Sequence, residues 1–127
     1  MSAIYPCLYY QDAHAAIDWL ERAFGARRCQ VHEGDDGAVH HAELDFDGGI
    51  VMTSSARAGG LSWSAGAASL YLVVGDPDAH HARAAQAGAE IVRELRDEDY
   101  GSRGYTARDP EGNLWSFGTY DPAATSA

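Results

Sequence analysis

Fixed distances within the chain restrict its fold more than its composition does. Asp12 and Asp76, Asp45 and Asp109, and Gly48 and Gly112 are each separated by 64 residues. Gly25-Ala26 recurs as Gly88-Ala89 with a slip of one residue. Aspartate and glycine begin and end many elements, so one such match carries little. Four in order, across 127 residues, predict one unit written twice.

Local patterns give that unit its shape. Residues 4–10 are aromatic and apolar and read as a strand, with Pro6 marking an edge or bulge. Asp12 suits an N-cap, and Ala16, Ile17, Leu20, Ala23 and Phe24 follow helical spacing up to the stop at Gly25. Residues 27–33 form a strand candidate, and 39–46 with 50–54 a hairpin around Asp47-Gly48-Gly49. Residues 56–68, rich in Gly, Ser and Ala, read as a linker carrying Trp63. The plan then repeats: a strand at 70–74, Asp76-Pro77 opening a helix over 79–87, a strand at 91–95, a polar loop at 96–104 and a hairpin around Asp109-Pro-Glu-Gly-Asn113. The expected fold class is α+β, a single domain over 1–127. It comprises two β-α-β-β-β modules (4–55 and 69–120) whose mixed sheets curl around a cleft. Trp115 and Phe117 are expected beneath the helices.

Composition removes several functions. Nineteen acidic against nine basic residues give a net charge of −10, which argues against nucleic acid and anionic membranes as partners. All nine basic residues are arginine, so Schiff-base chemistry and a lysine-bearing phosphate loop are excluded. Cys7 and Cys29 are too few for a disulfide framework, and no signal peptide or long apolar span is visible. A cytoplasmic setting follows as the expectation, with both thiols as small buried hydrophobes. His14, His80 and His81 are expected to be solvated.

Asp109-Pro-Glu-Gly-Asn-Leu-Trp-Ser-Phe117 resembles the vicinal oxygen chelate superfamily, in its glyoxalase/bleomycin-resistance branch. Tyr9-Tyr-Gln-Asp-Ala13, Ala23-Phe-Gly-Ala26 and Val73-Val-Gly-Asp-Pro-Asp-Ala79 are similar to the same branch. The resemblance implies the paired-module fold, frequent homodimerisation and, in metal-dependent members, four repeat-related ligand positions. Those positions lie seven residues before the aspartate opening each helix and seven after the aspartate of each late turn. Here they hold Tyr5, Ser69, Met52 and Ser116. None offers imidazole or carboxylate, so no metal and no cofactor are expected there. His41 and Glu43, on one side of a strand, could seed a site elsewhere, but residues 105 and 107, their counterparts at a spacing of 64, are Tyr and Ala.

Strand alternation nominates a ligand-binding set instead: Tyr5, Cys7, Tyr9, His41, Met52, Ser69, Tyr71 and Ser116, with Trp63, Tyr100 and Arg103 bordering the mouth. Arg103 would meet either an anionic ligand group or Asp99. An aromatic, sulfur-rich lining suits stacking on an organic molecule, including a cationic natural product. The expected function is metal-free small-molecule binding by a homodimer. The alternative is a metal-dependent lyase, isomerase or thiol transferase.

Overall fold

A computed structural model of the chain describes residues 4–57, 65–99 and 101–125. The first module runs β1 (Cys7–Tyr10), α1 (Ala13–Phe24), β2 (Arg27–Glu33), β3 (Val39–Phe46) and β4 (Gly49–Ser55). The second runs β5 (Ser69–Val73), α2 (Pro77–Gln86), β6 (Glu90–Asp97), β7 (Arg103–Arg108) and β8 (Leu114–Gly118), followed by a short α3 (Pro122–Thr125). Each module forms its own four-stranded mixed sheet, in the orders β1-β4-β3-β2 and β5-β8-β7-β6. β1 pairs with β4, and β5 with β8, in parallel; the remaining pairings are antiparallel. The doubled β-α-β-β-β reading holds.

Helix ends follow local chemistry. The Asp12 carboxylate accepts the Ala15 N–H at 3.1 Å, and the Asp76 carboxylate accepts that of Ala79 at 3.0 Å. Gly25, at φ 76°, ends α1 in the left-handed region. Alternation decides the rest. Leu8, Tyr10, Ala42, Leu44 and Val51 of the first sheet are buried, as are Tyr105, Ala107, Trp115 and Phe117 of the second. They join the buried stripe of α1 in one core. Phe24 meets Trp115 at 5.4 Å and Phe117 at 4.8 Å between ring centroids. Trp115 and Phe117 therefore lie where expected.

Several expectations need correction. β1 begins at Cys7 rather than residue 4, and β6 and β7 extend into the stretch read as a polar loop. The late hairpins are not copies. β3 and β4 are joined by the two residues Asp47 and Gly48, both at positive φ (60° and 107°), as a type I′ turn requires. β7 and β8 are joined by five residues, 109–113. Glu43 lies opposite Met52, and Thr106 opposite Ser116. The spacing of 64 thus holds on β4 and β8 but falls to 63 on β3 and β7. The counterparts of His41 and Glu43 are therefore Gly104 and Thr106, not residues 105 and 107. Cys7 and Cys29 are exposed: Cys7 pairs with Met52 on a row turned from the core, and Cys29 falls in a register break on the edge strand β2.

The longer turn clamps the two modules together. Asp109 is 3 % exposed, and one of its oxygens accepts from the Tyr10 hydroxyl (2.7 Å), Trp115 Nε1 (3.0 Å) and Asn113 Nδ2 (3.0 Å). Its other oxygen accepts the N–H groups of Glu111 and Asn113. The Glu111 carboxylate accepts the N–H groups of Gln11 and Asp12 at 2.6 and 2.9 Å, fixing the entry to α1. Burial and the adjacent Asp109 carboxylate push the Tyr10 hydroxyl far above its usual range. From the other side, Arg83 of α2 donates to the Glu21 and Arg22 carbonyls at the end of α1, both at 3.0 Å.

Candidate functional site

The sheet faces turned away from the helices are open, and they carry most of the nominated residues. Across the first sheet, one row reads Cys7, Met52, Glu43, Gln30, each opposite the next. The neighbouring row begins Tyr9, Ser54, and His41 lies opposite His32 at its far end. Across the second sheet, Tyr71, Ser116 and Thr106 share a row, with Val73, Gly118 and Gly104 beside them. Ser69 is opposite Leu114.

The faces differ in chemistry. Thr106 and Ser116 hydroxyls bond at 2.8 Å, and the Tyr71 hydroxyl donates to the Tyr120 carbonyl at 2.7 Å. A Cβ at Gly118 would lie 2.8 Å from that Tyr71 oxygen, so glycine there gives the tyrosine room to lie across the sheet. On the first sheet, His41 Nε2 and Glu43 Oε2 are 2.9 Å apart, and the His32 and His41 rings stack at 6.1 Å. A crevice of about 530 Å³ lies between the segment preceding β1, the β3–β4 turn and β5, lined by Tyr5, Phe46, Ile50, Tyr71 and Val73 among others.

Arg103 stands apart from this set. It shares a side with buried Tyr105 and grips Asp78 of α2 through Nε (3.0 Å) and Nη2 (2.9 Å), with Asp97 at 3.4 Å. Its acidic partners are thus Asp78 and Asp97 rather than Asp99. The paired Asp78 carboxylate is held below the usual range by that hydrogen bond. Trp63 and Tyr100 lie outside the described residues.

Two histidines depart from the sequence reading. His80 is partly buried, its Nδ1 2.5 Å from the Tyr105 hydroxyl and its ring 4.1 Å from Phe117. Its ring also stacks against that of Phe24 at 6.1 Å. Burial lowers its pKa, and Arg83 adds to that effect. His81 pairs with Glu94 at 2.9 Å, its side chain 21 % exposed. His14 is exposed as expected and pairs with Glu33. Sequence reasoning also missed His32, because cross-strand register decides which residue of β2 faces His41.

The sequence matches the Glyoxalase/Bleomycin resistance protein/Dioxygenase superfamily over residues 4–117. The chain belongs to that superfamily. Among relatives of this superfamily member, the Mycobacterium bovis protein Mb0911c is 36 % identical over 124 residues, covering 91 % of this chain and 82 % of its own. TioX from Micromonospora sp. ML1 is 38 % identical with a TM-score of 0.79, covering 93 % of this chain and 98 % of its own. A glyoxalase/bleomycin resistance protein from Streptomyces sp. CB03234 shares the fold at 19 % identity, TM-score 0.71, with 91 % and 98 % covered.

The superfamily's metal-dependent members make the donor set the deciding test. Met52 and Ser116 occupy equivalent places on β4 and β8, opposite Cys7 and Tyr71. Together with Tyr5 and Ser69 they present a thioether and three hydroxyls. That set does not fit a divalent ion needing imidazole, thiolate or carboxylate.

Proposed function

We propose that this chain is a small-molecule-binding protein whose organic ligand lies against the open sheet faces, without an ion at positions 5, 52, 69 and 116. One observation carries the reading: the surface a metal-dependent relative would use for chemistry here presents Tyr5, Cys7, Tyr9, Met52 and Tyr71, which stack on or pack against apolar rings. The net charge of −10 favours a cationic ligand. Tyr71 and Val73 remain 44 % and 48 % exposed in a single chain, so the reading includes a homodimer in which a second copy completes the cleft. It also includes a cytoplasmic setting, consistent with two free thiols. Among the described residues no helix is long and apolar enough to cross a membrane.

The test is a thermal-shift screen with planar aromatic and cationic natural products, followed by calorimetry on Met52→Ala and Tyr71→Ala. At least one compound is expected to raise the melting temperature, with affinity reduced about tenfold in each variant, near the contribution of one buried side chain. A screen without a single stabilising compound counts against the reading.

A further inference from the structure

The β2–β3 hairpin brings together a set of donors that no property of the superfamily assigns. His41 and Glu43 alternate with buried Ala42 and Leu44, so both project from the open face. His32 of β2 lies directly opposite His41, on the same face. Register irregularities flank it, between Arg28 and Gln30 and between His32 and Glu33. Such breaks re-aim side chains.

We propose that His32, His41 and Glu43 form a binding site for one divalent first-row transition ion, with zinc the best match. His41 Nε2 and Glu43 Oε2 are already 2.9 Å apart. Neighbouring donors on a tetrahedral ion with bonds near 2.0–2.2 Å lie roughly 3.3 Å apart, so only a small adjustment seats both on one ion. As they stand, the described side chains form no converged group of three donors. The reason is visible at His32, whose Nε2 is turned to Gln30 Oε1 at 2.8 Å. Its ring stacks 6.1 Å from that of His41 at 25°, and directly opposed residues have Cβ atoms about 4.5–5.5 Å apart. The site requires His32 to turn away from Gln30 so that its ring supplies the third ligand.

Two neutral imidazoles and one carboxylate are a borderline donor set, suited to zinc, nickel or cobalt, and they leave a fourth position open. His41 and Glu43 side chains are 40 % and 33 % exposed, so an ion can reach them. Glu43 faces Met52 across the β3–β4 pair, which places the site one strand from the superfamily's metal position. The inference is independent of organic-ligand binding, and it departs from the expectation that the chain takes no metal.

The test uses the full chain stripped with chelator and titrated with Zn²⁺ by calorimetry, then with Co²⁺ by visible absorption. One ion per chain is expected, with intense cobalt bands of tetrahedral geometry. His32→Gln and His41→Gln should each weaken uptake by about tenfold or more, while His40→Gln and His81→Gln leave it unchanged. Circular dichroism confirms that each variant is folded. No uptake, or uptake that survives both His32→Gln and His41→Gln, overturns the proposal.

Discussion

The two modules share a strand order and differ most at the turn that closes each sheet. In the first, Asp47 and Gly48 reverse the chain in two residues, and nearby Asp45 accepts the Gly48 N–H and pairs with exposed Arg27. In the second, five residues reverse the chain, and Asp109 disappears into the core with five donors on its carboxylate. The helices differ similarly: buried Ala16 of α1 stands 64 residues before His80 of α2, which reaches both Tyr105 and Phe24. Repetition fixed the scaffold, whereas joining the halves fell to residues of the second copy.

Breaking that asymmetry should cost most at Asp109. Asp109→Ala strands the Tyr10 hydroxyl, the Trp115 indole N–H and two backbone N–H groups in a buried site. A loss of about 3–5 kcal/mol is expected, measurable by urea denaturation. Loss below 1 kcal/mol would show that the clamp is not what joins the modules.

A smaller, pH-dependent effect is expected at His80. Its pKa is lower in the fold than the ordinary 6.5, so the unfolded chain binds the extra proton first. The stability it contributes is full above about pH 6.5 and is lost as pH falls through the folded value. Urea midpoints between pH 8 and 5 should show that fall in the wild type and a flatter profile in His80→Gln. Equal slopes would remove His80 from the account.

The smallest effect belongs to the other turn. The Gly48 N–H and then Arg27 hold the Asp45 carboxyl below the usual range, but the Arg27 side chain is 74 % exposed and solvent screens the pair. Asp45→Ala should leave the denaturation midpoint within experimental scatter of the wild type. A drop comparable to that of Asp109→Ala would make the turns equivalent after all.

Much of the fold was legible because it rests on local rules. Asp12 and Asp76 cap where capping chemistry places them, and Leu8, Tyr10, Trp115 and Phe117 are buried where alternation puts them. The slip from 64 to 63 was not legible, since Asp45 and Asp109 match as letters while sitting in turns of different length. Nor could sequence reveal that β2 sets His32 against His41, because the bulges fixing that register leave no mark in composition. Arg103 reads in the sequence as part of a loop bordering the mouth, but it opens β7 and grips Asp78 of α2, a long-range pairing that no local pattern announces. The open-face chemistry at Met52, Tyr71 and Ser116 could be read, because strand period alone determines it.

The bond from Tyr10 to Asp109 spans 99 residues. During synthesis the first sheet and its helix therefore leave the ribosome long before the carboxylate that secures them exists. Closing so large a loop carries an entropic cost that only the finished chain can offset. A nascent chain stalled before residue 109 therefore has an unlatched first half whose apolar stripe on α1 lacks Trp115 and Phe117 to cover it.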